Sequence, residues 1–344
     1  MKAALIQSPG RLEIQEIPEP IIGEYDALCT VLCASICNGT DHHAIRGDAF
    51  FDLRFPTILG HEGIGRVEKI GSKVKYIKIG DLMTRVVNKL PSSSGISVKP
   101  GWGSFAERGI VVDWQAMRDD GVPEEVWRPF MVNQQLPPDA DPVKSTMVIT
   151  WRETLAFLNR LDLKRKEKIL ILGTGANALA FVEHSRNKDA DITVCGNPSR
   201  ERTFLQGGTH NFVSYQSPDA EKTIGSFGPF DTILDAIGDA AGLNRRLVHL
   251  KPGGKIAVYG LDGVTDYRLD VFRIPQGFAF FNGIYYEEGT THDEVLQSIK
   301  DDRLSADLYI SPEHIYPFSR MNEALSASRD RKTLKSVIDF RLAD

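Results

Sequence analysis

Through residue 112 the apolar positions come in short alternating runs, each cut off by glycine or proline. Lys2–Gln7, Leu12–Glu16, Ala27–Ser35, Gly63–Ile70 and Phe105–Val112 carry the two-residue period of half-buried strands, which predicts a mainly β domain. From about Pro142 the pattern changes. Thr146–Arg160 has helical spacing, and after it the apolar runs Lys168–Leu172, Asp191–Cys195, Phe212–Ser214, Phe230–Asp235, Lys255–Tyr259 and Phe278–Tyr286 mostly alternate with helix-like segments. Runs of this kind belong to strands buried on both faces, and the alternation predicts a doubly wound parallel sheet. Asp293–Asp302 and Met321–Ser328 read as helices, and Leu334–Phe340 as a closing strand. The fold class expected is α/β, with a β-rich domain over 1–147 completed by 288–344, and a sheet domain over 148–287. Ligands of such sheets bind beyond the carboxyl ends of the strands, so chemistry is expected in a cleft beside them.

The run Lys168–Leu172 opens into Gly173-Thr174-Gly175-Ala176-Asn177-Ala178. This is how a buried strand meets a helix whose N-terminus holds a dinucleotide pyrophosphate: Gly173 for the tight turn, Gly175 for close approach of the phosphates, Ala178 for helix–strand packing. An ordinary strand–helix turn is the plainer alternative. The next strand ends Cys195-Gly196-Asn197-Pro198-Ser199-Arg200. An NAD site normally ends this strand in an acid that accepts from the ribose and repels a 2′-phosphate. Gly196 stands there instead, and Asn197, Ser199 and Arg200 supply donors and positive charge, so NADP is favoured over NAD. Against this, Ser199 serves equally as a helix cap and Arg200 as a solvated base. Ala236 and Gly260 fall at the carboxyl edge of the sheet, where nicotinamide contacts arise, and Asn282-Gly283 holds a similar place.

Composition narrows the function classes. A chain of 344 residues with 42% hydrophobic and 25% charged residues suits two globular domains. A net charge of −5 without a basic run argues against nucleic acid and acidic membranes as partners. No stretch approaches a membrane span, and Met1–Ile6 lacks a secretory pattern. Four cysteines, Cys29, Cys33, Cys37 and Cys195, do not form a disulfide framework, so a reducing, cytoplasmic setting is expected.

One thiol stands out. Ser35-Ile36-Cys37-Asn38-Gly39-Thr40-Asp41-His42-His43 gathers a thiol, a hydroxyl, a carboxylate and two imidazoles, and Gly60-His61-Glu62-Gly63 follows some twenty residues later. Cys and His are ligands of catalytic zinc, with a carboxylate or water completing an open site. Read singly, these residues are equally a polar turn and a structural His–Glu pair. In order, the Cys37 block, Gly60-His61-Glu62-Gly63-x-Gly65-x-Val67, Gly80-Asp81, Gly103-Ser104-Phe105-Ala106-Glu107, the dinucleotide turn and Leu334-Lys335-Ser336-Val337-Ile338 resemble the zinc-dependent medium-chain alcohol and polyol dehydrogenases over essentially the whole chain.

The resemblance implies a GroES-like catalytic domain, a Rossmann cofactor domain and hydride transfer between an alcohol carbon and a nicotinamide. It makes Cys37 and His61 zinc ligands and Glu62 a carboxylate that binds or orients the metal. Thr40 becomes the first proton relay, His43 a second, and Asp41 a partner that fixes the His61 tautomer. Tyr215 falls where NADP-dependent relatives place a tyrosine near the adenine. The implied partners are a small alcohol or carbonyl substrate and further copies of the chain, as a homodimer or homotetramer joined through the apolar strand near Phe278–Tyr286.

Three departures qualify this. Asn38 makes the Cys37 block one residue longer than the commonest form. Ile149 stands where the family usually places a further ligand, and Glu153, one helical turn on, is the nearest substitute, although a salt bridge with Arg152 is an equal use for it. No cysteine lies between Val86 and Gly109, so one catalytic zinc and no structural zinc are expected. The rival functions are a zinc-free NADPH-dependent enone or quinone reductase and a non-enzymatic nucleotide-binding relative. Trp102, Trp151, Phe50 and Phe51 are candidates for a substrate wall or for simple packing.

Overall fold

A computed structural model describes residues 1–283 and 287–343. Its first strands are β1 (Lys2–Ser8), β2 (Arg11–Glu16), β3 (Asp26–Ser35), β4 (Thr57–Ile58), β5 (Glu62–Ile70), β6 (Leu82–Thr84) and β7 (Arg108–Val112). They are followed by β8 (Lys168–Leu172), β9 (Asp191–Gly196), β10 (Asn211–Ser214), β11 (Phe230–Asp235), β12 (Leu250–Val258) and β13 (Ala279–Asn282), and the chain closes with β14 (Ile315–Tyr316) and β15 (Val337–Asp339). Two units result: residues 1–149 with 309–344, and residues 150–308.

In the first unit β3 is the hub, pairing antiparallel with β5, β7 and β15. Its inward residues Ala27, Cys29 and Val31 pack with Val67, Met83 and Val111, an apolar core that alternation alone anticipates. Burial pushes the Cys29 and Cys33 thiols up, so they remain protonated and inert. The strand expected over Phe105–Val112 begins only at Arg108, because residues 104–107 bond elsewhere. Ala4 N–H donates to the Phe105 carbonyl (2.8 Å), and Phe105 N–H to the Leu59 carbonyl (3.1 Å). The short strands β4 and β6 escape a two-residue periodicity test, having too few residues to show one.

The second unit is a six-stranded parallel sheet in the order β10-β9-β8-β11-β12-β13. Strand order reverses between β8 and β11, the switch point at which such sheets bind ligands. Leu170, Leu172, Ile233 and Ile256 from its strands join Ile224, Leu243 and Leu247 in one buried cluster. The β13 strand, expected over Phe278–Tyr286, is described as Ala279–Asn282, and residues 284–286 lie outside the described residues. Residues 288–308, expected with the β-rich domain, cluster with the sheet unit. The physical reason is a buried ion pair: the Arg152 guanidinium reaches Glu288 at 2.7 Å, and His292 Nδ1 lies 3.3 Å from the same group.

Candidate active site

Cys37 follows the end of β3, and His61 and Glu62 stand at the start of β5, which pairs with β3 through Ser35 and Glu62. That register brings the two sequence blocks together. One ligand atom from each of Cys37, His61 and Glu62 lies within 4.8 Å of the others, and all three residues are buried. Gly60 and Gly63 are small because Ser104 and Phe105 press against them. A Cβ at Gly63 would lie 2.3 Å from Ser104 Cβ, and one at Gly60 would lie 2.5 Å from the Phe105 ring.

Asp41 lies under this cluster. Its carboxylate accepts from Cys37 N–H at 2.8 Å, fixing the turn, and stands 3.6 Å from His61 Nδ1. Asp41 Oδ1 and His61 Nδ1 are both buried without a hydrogen-bond partner. Burial opposes a charge on His61, but Asp41 and the Cys37 thiol outweigh it and raise its pKa well above the usual imidazole range. A sulfur, an imidazole nitrogen and a carboxylate converging, beside orphaned buried polar atoms, form a donor set of the kind zinc takes. The cluster therefore fits a cation on chemical grounds.

Contacts made by Glu62 and by Asn38 have no counterpart in the sequence motifs. Lys335, just before β15, donates to both Glu62 oxygens, at 2.6 and 2.5 Å, and Ser35 Oγ also donates to this carboxylate. Burial would raise the Glu62 pKa, but the Lys335 charge prevails and lowers it. A lone lysine within the apolar closing segment was the signal available. Asn38, the extra residue, instead meets Ser328 Oγ with its side-chain oxygen, and His42 Nε2 lies 3.2 Å from the same hydroxyl. The insertion thus points toward the helix Met321–Arg329, leaving the thiol with His61. Thr40 opens the helix Thr40–Arg46. His43, one turn on and buried, has Nδ1 2.5 Å from Asp48 Oδ2 and 2.9 Å from Arg46.

The predicted nucleotide residues all lie in the sheet unit. Gly173 has φ +113°, a conformation that disfavours any side chain, while a Cβ on Gly175 would meet nothing within 4 Å. Open space at the N-terminus of the helix Ala176–Asn187 is what a pyrophosphate requires, and Ala178 is buried against the sheet, while Asn177 is half-buried in its first turn. Gly196 ends β9. Asn197 N–H donates to Thr174 Oγ1 (3.2 Å), and the Asn197 side chain accepts from Ser199 N–H (3.0 Å). Arg200 is half-buried, which lowers its pKa, and Tyr215 is 52% exposed beyond β10. Ala236 and Gly260 follow β11 and β12 at the carboxyl edge. Beside them the Asp235 carboxylate accepts from Ile237 N–H, Gly238 N–H and Tyr267 Oη, although burial still raises its pKa. Glu153 is buried in this unit. Trp151 is core: its indole N–H donates to Glu183 at 3.1 Å.

Comparison with known proteins finds relatives over the length of the chain. Residues 23–119 match the Alcohol dehydrogenase GroES-like domain. L-threonine 3-dehydrogenase of Solibacter usitatus is 26% identical, covering 97% of this chain and 99% of its own. The NADP-dependent isopropanol dehydrogenase of Clostridium beijerinckii is also 26% identical, covering 98% and 99%. Sorbitol dehydrogenase of Bacillus subtilis is 24% identical, covering 83% and 82%. Among solved structures, an Escherichia coli oxidoreductase/dehydrogenase of unknown specificity superposes with a TM-score of 0.81 at 20% identity, covering 100% of this chain and 99% of that one. The alcohol dehydrogenase of Thermus sp. ATN1 superposes with a TM-score of 0.77 at 19% identity, covering 98% and 99%.

Proposed function

We propose that the chain, as a member of the medium-chain alcohol and polyol dehydrogenase family, is an NADP-dependent, zinc-assisted oxidoreductase of a small alcohol, polyol or sugar hydroxyl and the matching carbonyl. The observation that carries this reading is the buried thiol–imidazole–carboxylate cluster of Cys37, His61 and Glu62. A bound zinc would supply Lewis acidity toward the substrate oxygen, and a bound nicotinamide would exchange the hydride.

The remaining steps belong to the chain. Cys37 and His61 would hold the metal, and the Asp41 carboxylate, 3.6 Å from His61 Nδ1, is near enough to orient that ring once the two move into hydrogen-bond range. Glu62 gives its charge largely to Lys335, so it orients the site more than it neutralises the cation. Thr40 takes the hydroxyl proton, and His43, braced by Asp48, passes it on toward solvent. Gly173, Gly175 and the first turn of Ala176–Asn187 receive the pyrophosphate, and Arg200 with Ser199 receives the adenosine 2′-phosphate. The isopropanol dehydrogenase among the relatives is NADP-dependent by name, which supports the same cofactor here.

Zinc content per chain, measured on protein purified without chelator, tests the reading. About one zinc per chain that is lost in Cys37→Ser, together with alcohol oxidation, is the expected result. One observation favours a second reading, a zinc-free NADPH-dependent enone or quinone reductase: Ile149, at the usual place of a further ligand, is fully buried and cannot bind a metal. Protein that holds far less than one zinc and cannot be reloaded, yet still consumes NADPH with enones, would establish that reading instead.

A further inference from the structure

The segment between β6 and β7 carries an aromatic side chain to the edge of the Cys37–His61 cluster. Gly103 and Ser104 N–H both donate to the Gly60 carbonyl, at 2.9 and 3.1 Å, so Trp102 is clamped beside the residue that precedes His61. Gly103 itself has φ +119°, and a Cβ there would lie 2.4 Å from Asn88 Cβ, which leaves this backbone little freedom. The Trp102 carbonyl accepts from Asn88 N–H at 2.9 Å. The indole sits 5.8 Å from the His61 ring at 34° and 5.8 Å from the Phe51 ring at 58°. Phe51 is buried, its carbonyl accepts from the Lys99 ammonium at 2.6 Å, and the half-exposed Phe50 packs edge-on against it at 5.2 Å.

Phe50, Phe51 and Trp102 therefore form a fixed strip of aromatic rings leading from the surface to His61. Aromatic faces favour a planar apolar group in offset or edge-on contact. Along the same strip the hydroxyls of a polyol would lose water without gaining partners. Resting on the alcohol-dehydrogenase reading above, we propose that Trp102, with Phe50 and Phe51, selects alcohols and aldehydes whose reacting carbon carries an aryl or comparably planar apolar group, and that Trp102 is the specificity-determining residue. For an arylmethanol the carbinol C–H bond breaks as a hydride, two electrons passing to the oxidised nicotinamide. The O–H bond breaks as a proton, and the product is the aldehyde.

The test compares kcat/KM for benzyl alcohol and glycerol with NADP in the full chain. Wild-type protein should prefer benzyl alcohol by at least about tenfold, corresponding to about 1.4 kcal/mol. Trp102→Ala should cut the benzyl-to-glycerol ratio about tenfold, chiefly through KM, whereas Trp102→Phe should keep most of it. Phe50→Ala, at an exposed position that does not threaten folding, should lower the ratio about threefold. A preference for glycerol, or proportional losses on both substrates in all three variants, would overturn the proposal. Absence of turnover with either alcohol would count against the dehydrogenase reading itself. The wall is then decided by saturation-transfer NMR with benzyl alcohol: binding to wild type that Trp102→Ala loses supports it, and no binding to wild type refutes it.

Discussion

A Cβ at residue 196 would lie 2.1 Å from Thr174 Cγ2, so no carboxylate can end β9 while Thr174 occupies the nucleotide turn. The acid that discriminates against a 2′-phosphate is excluded by packing as well as by sequence, and the half-buried Arg200 follows four residues after Gly196. Arg200→Ala should therefore weaken NADPH binding by about 10- to 100-fold, the value of one or two charge-assisted hydrogen bonds, while NADH binding changes less than about twofold. Titration of each cofactor against protein fluorescence checks this; equal losses would reduce Arg200 to a helix residue without a phosphate role. The meeting of Cys37 with His61 and Glu62 was legible in the sequence because each sits within a short motif of metal-ligating residue types. Lys335 and Ser328 were not. They reach Glu62 and Asn38 across 273 and 290 residues, and a local pattern does not name a partner so far along the chain.

Elements follow the same division between local and distant causes. Lys168–Leu172 and Phe230–Asp235 form strands at the expected residues because their centres, Ile169–Leu172 and Ile233–Leu234, are apolar and buried in the parallel sheet. Residues 288–308 were assigned by position in the chain, yet their cluster is set by Arg152, a distant charge that needs Glu288 as its buried partner. The helix Ala176–Asn187 holds a further buried group of this kind. His184 Nε2 lies 3.0 Å from the Trp151 carbonyl, to which the neutral ring donates, and burial pushes its pKa down to about 3. Its ordinary value is 6.5, so between pH 6.5 and about 3 the unfolded chain binds a proton that the folded chain does not. Stability contributed by His184 is complete above that window and falls as pH drops through it, by up to about 1.4 kcal/mol per pH unit. Denaturant midpoints measured between about pH 7 and pH 5 should show a shallower loss in His184→Gln than in wild type, because glutamine keeps the donor without the proton. Parallel slopes for the two proteins would mean that His184 is not buried neutral.

At the scale of the whole molecule, β13 is the outer strand of the six-stranded sheet among the described residues. A sheet edge offers unpaired N–H and carbonyl groups to any second strand, and monomeric proteins usually shield such an edge with charge, proline or a covering segment. Here Phe280 on β13 and Phe278 just before it are 46% and 41% exposed. Two exposed phenyl rings at an edge strand are costly in water and are relieved when a second copy of the chain covers them. We propose that the protein is a homodimer, or a tetramer built on that dimer, joined through β13. A net charge of −5 is too small to keep two such faces apart at physiological salt. Light scattering should give at least twice the 38.2 kDa chain mass. Phe280→Lys places a charge in the centre of the joined edge and should yield a monomer that still binds NADPH, since Phe280 is outside the nucleotide turn. Wild-type protein that remains at the chain mass up to high concentration would remove the dimer, and the exposed rings would then have to be covered by something other than a second copy.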